Sequence, residues 1–139
     1  MIRKILFVTI LLLAVVVFAD DRTEEFWKAA KGGDVEKVKA LLAEGVDVNA
    51  RNPYGATAMS FAADKGQLEV IKVLIEHGAD INTKDSFYGA TPLNWAADNK
   101  HLDVVRLLLQ KGATGAADAL GSGIYNKDME LMIAVLEET

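Results

Sequence analysis

The stretch from Gly55 to Gly112 states one pattern twice, and no other feature limits the possible folds as tightly. Gly55-Ala56-Thr57 returns as Gly89-Ala90-Thr91, Leu74 as Leu108 and Gly78 as Gly112, each 34 residues on. Upstream, Ala29-Ala30, Gly33, Glu36, Leu41-Leu42, Gly45, Asp47 and Asn49 match Ala62-Ala63, Gly66, Glu69, Leu74-Ile75, Gly78, Asp80 and Asn82 at a spacing of 33. Self-similarity at this period belongs to stacked repeats, in which a unit too small to bury its own apolar face buries it against its neighbours.

Within each unit the apolar spacing is helical. Asp34 is placed to cap a helix over residues 35–43, with Val35, Val38, Leu41 and Leu42 on one face. The equivalents are Leu68, Ile71, Leu74 and Ile75, then Leu102, Val105, Leu108 and Leu109. Gly45, Gly78 and Gly112 follow these helices where a left-handed residue ends the last turn. Thr57 and Thr91 suit the N-cap of a preceding, shorter helix, with Pro92 at its first position. Turns fall at Asn52-Pro53-Tyr54-Gly55 and Asp85-Ser86-Phe87-Tyr88-Gly89; the second is one residue longer, which changes the period from 33 to 34.

Flanking positions separate end units from inner ones. Val70 and Val73 become Val104 and Leu107 in the third unit but Lys37 and Ala40 in the first. A lysine where inner units carry a valine marks an N-terminal cap. After Gly112 the pattern decays. Residues 116–122 predict an inner helix weakened by Gly121 and Gly123, and residues 129–138 a final outer helix with Met129, Met132, Val135 and Leu136 facing inward. Upstream, Asp21 is placed to cap the first inner helix, with Glu24 completing a capping box and Phe26, Ala29 and Ala30 buried.

These residues resemble the ankyrin repeat, and Thr91-Pro92-Leu93-Asn94-Trp95-Ala96 is close to that family's T-P-L-H-x-A. The resemblance runs from about Glu24 to Leu136. It implies an all-α solenoid of helix-turn-helix units with projecting β-turn fingers, divided at approximately 22–51, 52–84, 85–114 and a degenerate C-terminal cap, 115–139. It also implies that partners meet the finger tips and the concave face of the inner helices: here Arg51, Tyr54, Asp64, Lys65, Lys84, Phe87, Tyr88, Asp98 and Asn99.

The first 19 residues read as a signal peptide. Arg3 and Lys4 form a basic start, Ile5 to Phe18 is an unbroken apolar run, and Val17-Phe18-Ala19 supplies small residues for cleavage before Asp20. The run is shorter than the ~20 residues of a spanning helix, so stable membrane insertion is not expected after cleavage; a retained anchor is the alternative. Arg3 and Lys4 are two of the 15 Lys+Arg, so from Asp20 onward 13 basic residues stand against 20 Asp+Glu. That surface repels phosphate backbones, and nucleic acid is not expected as a partner. The chain has no cysteine, hence no disulfide, no thiol nucleophile and no thiolate metal ligand. A periplasmic or secreted location follows from the signal, and the absence of an N-x-S/T sequon fits a bacterial protein of either location better than a glycosylated eukaryotic one.

The residues that carry chemistry are few. His77 precedes Gly78 at a helix end, where a cation suits the dipole, and His101 stands before an outer helix, where a structural hydrogen bond is the plain reading. Two histidines and no cysteine offer no zinc site; neither metal nor cofactor is expected. Asp64 and Asp98 hold equivalent places on successive inner helices, but repeat symmetry explains them without catalysis. Glu36/Lys39, Glu69/Lys72 and Asp103/Arg106 read as solvated i,i+3 pairs. Trp95 and Phe61 share one position and read as core. Phe87, Tyr54 and Tyr88 differ from all of these because they sit on turns, where exposed rings are costly unless a partner covers them. A second apolar surface is expected on the last helix, where Ile133 replaces the recurrent cation and Leu131 lies close by, suggesting a homodimer or a second partner.

The sequence therefore reads as a non-enzymatic, exported module that binds a protein in a protective, inhibitory or immunity-type role. A secreted host-directed effector is the alternative, with an enzyme or small-ligand binder behind it. The signal reading predicts that the exported chain begins at Asp20; intact-mass measurement should find that species, and retention of residues 1–19 would refute it.

Overall fold

The computed structural model describes residues 2–139, with the backbone alone for residues 6–20. Eight helices are found among the described residues: α1 (Ile2–Gly32), α2 (Val35–Ala43), α3 (Ala58–Asp64), α4 (Leu68–Glu76), α5 (Pro92–Asp98), α6 (Leu102–Gln110), α7 (Ala116–Tyr125) and α8 (Met129–Glu137). They form four antiparallel pairs. The inner helices α3, α5 and α7 and the C-terminal part of α1 stack in one row, and the outer helices α2, α4, α6 and α8 in a second.

Local chemistry explains the starts. Thr57 and Thr91 cap α3 and α5 in extended conformation, and each forms a reciprocal box with the third residue on, Ser60 and Asn94. Asp34 caps α2 by accepting from the Lys37 N–H at 3.0 Å. Seven residues, the length of α3 and of α5, are well below the ~12–15 at which an isolated helix persists in water. Stacking supplies what propensity cannot. Ala62, Ala63, Ala96 and Ala97 are buried between inner helices, and Ile71, Leu74, Val105 and Leu108 fill the layer against the outer ones.

Three kinds of side-chain bridge tie neighbouring units, and all three meet between the second unit and the third. His101 Nε2 lies 3.0 Å from the Asp64 carbonyl, and Gln67 Nε2 donates to the Lys31 carbonyl one unit earlier. Gly66 has φ +69°, and a Cβ there would sit 2.5 Å from His101 Nδ1, so the bridge requires glycine at that point. Asn49 accepts from the Asp80 N–H, and Asn82 from the Thr114 N–H, both at 2.8 Å. Asn99 donates to Asp64, and Ser122 donates to Asp98.

Four expectations are corrected. The helix runs through Asp21 without a break, so Asp21 and Glu24 form no capping box; a cap exists only where a helix begins, and α1 begins at Ile2. The signal reading falls on residues 1–19, of which Met1 and the side chains of residues 6–19 lie outside those described. Inner helix α7 extends through Gly121 and Gly123 to Tyr125. Gly123 is buried against α8, where a Cβ would come within 2.9 Å of Met132 Cγ, so this glycine permits close packing.

The third correction concerns α8, which buries Leu131, Ala134 and Val135 while Met129 and Leu136 face out. Leu131 and Ala134 occupy the places of Val70/Val73 and Val104/Leu107, the flank that meets the preceding unit. Met129 and Leu136 belong to the flank that would meet a following one. The fourth concerns Arg106. It pairs not with Asp103 but with Glu137 and Glu138, tying α6 to α8, whereas Glu36/Lys39 and Glu69/Lys72 form as expected at 3.4 and 2.7 Å.

Candidate functional site: an aromatic groove

The two fingers are built differently, and the second carries the site. In the first, Asn52 Oδ1 accepts from the N–H groups of Tyr54 and Ala56, both at 2.9 Å. In the second, Asp85 does this more extensively: Oδ1 accepts from the Phe87 N–H (2.9 Å) and the Tyr88 N–H (2.7 Å), and Oδ2 from the Ala90 N–H (3.1 Å). The Trp95 indole lies close enough to the same carboxylate to favour its charged form. Burial pushes the Asp85 carboxyl upward, but the backbone hydrogen bonds from Tyr88 and Phe87, the Trp95 indole and the backbone hydrogen bond from Ala90 outweigh it and hold the group below the usual carboxylate value. The extra residue of this finger is thus wrapped round one buried anion.

That anion fixes two rings in the open. Phe87 is 72% exposed and Tyr88 73%. They meet edge-on at 4.9 Å between centroids, and Tyr88 meets Trp95 edge-on at 6.1 Å. The fingers are also joined to each other: the Ser86 N–H donates to the Tyr54 carbonyl at 2.9 Å, and Arg51 donates to the Gly55 and Lys84 carbonyls.

On α3 and α5 the buried positions point into the stack and leave Phe61, Asp64, Asn94, Trp95 and Asp98 toward the concave side. Between these helices and the fingers lies a hollow of ≈ 190 Å³ lined by Tyr54, Phe61, Phe87, Tyr88 and Trp95, with Ala56, Ser60, Asp64 and Asp85 completing it. Trp27 extends the aromatic row, its ring 6.5 Å from Phe61 and its indole donating to the Ala50 carbonyl. A second, larger and more open hollow of ≈ 590 Å³ lies on the other side of Tyr88 and Trp95, bounded by Gly89, Ala90, Asn94, Asp98 and Asp118.

Of the contact residues expected from sequence, Tyr54, Asp64, Phe87 and Tyr88 converge on the first hollow and Asp98 on the second. Arg51 spends its donors between the fingers. Lys65 pairs with Asp64 at 3.1 Å, and Asn99 is held by Asp64 and the Trp95 carbonyl. Lys84 is exposed but lines neither hollow. Phe61 and Trp95, expected in the core, are half-buried walls of the groove. Asp85 was not expected to position the site; its register match with Asn52, at the start of each turn, is the signal that could have found it. His77 caps α4 and contacts the Val73 carbonyl at 2.8 Å. Among the described residues no group of acidic and histidine side chains could hold a metal ion, and no helix is long and apolar enough to cross a membrane.

The expected second surface loses one of its two residues: Leu131 is 1% exposed and belongs to the core, packed where α8 meets α6 and α7. Ile133, 47% exposed, lies with Met129 and Leu136 on the outer flank of α8, and Ile124 and Tyr125 at the end of α7 are exposed as well.

Stacked helix pairs, capping threonines and paired fingers define a repeat-type binding scaffold. A family model of ankyrin repeats, in three copies, matches residues 26–118, more than half of the chain, and the protein belongs to this family. A search of curated proteins finds no match. Ankyrin repeats generally mediate protein–protein interaction and are typically non-catalytic, and the partner class here is accordingly protein.

The Asp85 anchor carries a pH prediction. Its folded pKa is depressed, so its contribution is complete above the unfolded value of about 3.9 and is lost as pH falls through the folded value. Asp85→Asn keeps one acceptor but turns an amide donor toward the Ala90 N–H, and should cost about 1–3 kcal/mol at neutral pH. In denaturant titrations the gap to wild type should narrow as the solution is taken from about pH 5 to well below the carboxylate range. Asp128, which the Leu131 N–H and then Lys100 also hold low, titrates in both proteins and cancels. A gap that does not change with pH would contradict the assignment.

Proposed function

We propose that this chain is an exported binding module whose finger tips and concave aromatic groove capture a periplasmic or secreted protein, in a protective, inhibitory or immunity-type role. The observation that carries this reading is the second finger: a buried carboxylate and three backbone hydrogen bonds hold Phe87 and Tyr88 outside the core, beside an apolar hollow. Rings ordered in advance lose little freedom on binding, which is how a few aromatic side chains come to dominate an interface. The first hollow, at ≈ 190 Å³, is smaller than the ~300 Å³ from which drug-sized ligand pockets begin. It suits one inserted side chain better than a whole small molecule. Export rests on the basic start and apolar run of residues 3–18 and is tested separately, by the mass of the exported chain.

Phe87→Ala should weaken partner binding by about 2 kcal/mol or more while leaving the melting temperature nearly unchanged, since Asp85 binds the backbone at residue 87 and not the ring. Calorimetric titration and thermal melts on the same samples check this. A lowered melting temperature with unaltered affinity per folded molecule would show that Phe87 serves packing.

A second association surface is favoured at the open end of the stack. Met129 and Leu136 occupy the flank that, in the inner units, packs on the next repeat, and Ile133, in the place of the exposed Lys39 and Lys72, lies exposed beside them; exposed apolar patches of this kind mark association sites. The opposite end is charged, with Lys37 paired to Glu25 and Arg22 to Glu44, so a head-to-tail contact is disfavoured and a tail-to-tail homodimer fits. Light scattering at high concentration should show dimers for the wild type and monomers for Ile133→Lys. Monomers in both would remove the homodimer.

A further inference from the structure

Both hollows of the groove lack any lysine or arginine in their walls, although the chain has 15. The nearby cations are already committed, Lys65 to Asp64 and Arg51 to the finger carbonyls. The two hollows share Tyr88 and Trp95 as a common partition. On one side the walls are mostly aromatic. On the other, Asp98 and Asp118 stand exposed. Asp98 accepts only the Ser122 hydroxyl, at 2.8 Å, and Asp118 has no hydrogen bond or ion pair among the described residues, so neither has a cation.

We propose that the partner enters this groove through an apolar side chain set next to an arginine or lysine, the apolar one filling the hollow of Phe61, Phe87, Tyr88 and Trp95 and the cation crossing the Tyr88–Trp95 partition to Asp98 and Asp118. Aromatic faces attract a cation laid across them, and the planar guanidinium of arginine stacks on such rings better than an ammonium does. The carboxylates beyond the partition supply the opposite charge, and complementary charge fixes register and suppresses acidic competitors. This rests on the groove being the partner-binding face, and it specifies the chemistry that the face selects.

A random heptapeptide display library panned on the immobilised full chain, in parallel with Phe87→Ala and with the double variant Asp98→Asn/Asp118→Asn, tests it. Asparagine keeps an acceptor for Ser122 and both positions are exposed, so the double variant should fold; a circular dichroism melt checks this. Sequences recovered on the wild type and lost on Phe87→Ala should place Arg or Lys within two residues of Leu, Met or an aromatic. A synthetic peptide of the recovered consensus should bind the double variant about fivefold more weakly, the modest effect expected of exposed charges, and its affinity for wild type should fall with added salt. Phe87-dependent peptides with no enrichment of basic residues, or binding unchanged in the double variant, would overturn this inference and leave the groove standing. Failure to recover any Phe87-dependent peptide would overturn the groove as the binding face, and this inference with it.

Discussion

Lateral stacking is the constraint on which the rest of this structure depends. Inner helices of seven residues have no independent stability, so each exists only because a like helix lies beside it. The pattern follows: alanines where inner helices meet, branched aliphatics between the rows, and one glycine, Gly66, where a histidine from the next unit must pass. Stability in such an array is close to a sum over neighbouring interfaces. The Asn and Gln/His bridges repeat with the period because each is a term in one of those interfaces.

Function arises where the repetition is broken. One extra residue in the second finger is accommodated by folding the turn round Asp85, and the outcome is a rigid pair of exposed rings over a hollow walled by Phe61 and Trp95. The cost of keeping aromatic surface in water is offset by hydrogen bonds to a buried anion, an arrangement the first finger lacks because Asn52 uses a single oxygen for two donors. The inner helices contribute through the same periodicity that stabilises them. With Leu93, Ala96 and Ala97 turned into the stack, Trp95 and Asp98 are left on the concave side.

Much of this was legible in the sequence, for physical reasons that differ from element to element. The threonine caps, Asp34 and the outer-helix faces could be read because capping and 3.6-residue spacing act locally. Lys37 in the place of Val70 revealed an end unit, since a charge is tolerated only where no neighbour stacks. The register of α8 was not legible. Its residues are apolar nearly all round, and the packing of α8 on α6 and α7 decides that Leu131 is inside and Met129 outside. The role of Asp85 was hidden for a similar reason: an aspartate in a turn is ordinary, and its burial is created by backbone that folds back over it. Trp95 packs against the core as its position implies, and that it also walls a groove depends on the neighbouring finger.

The central claim, that the concave aromatic side is where this protein meets its partner, is tested most directly by site-specific photo-crosslinking in the cells that produce it and in their exported fraction. A benzophenone-bearing phenylalanine analogue at position 87 keeps an aromatic group on the finger, and the same analogue at Glu69 samples the exposed face of an outer helix. The account predicts a crosslinked adduct of defined mass from position 87 and none from position 69. Adducts from position 69 alone would place the partner on the outer helices and contradict it.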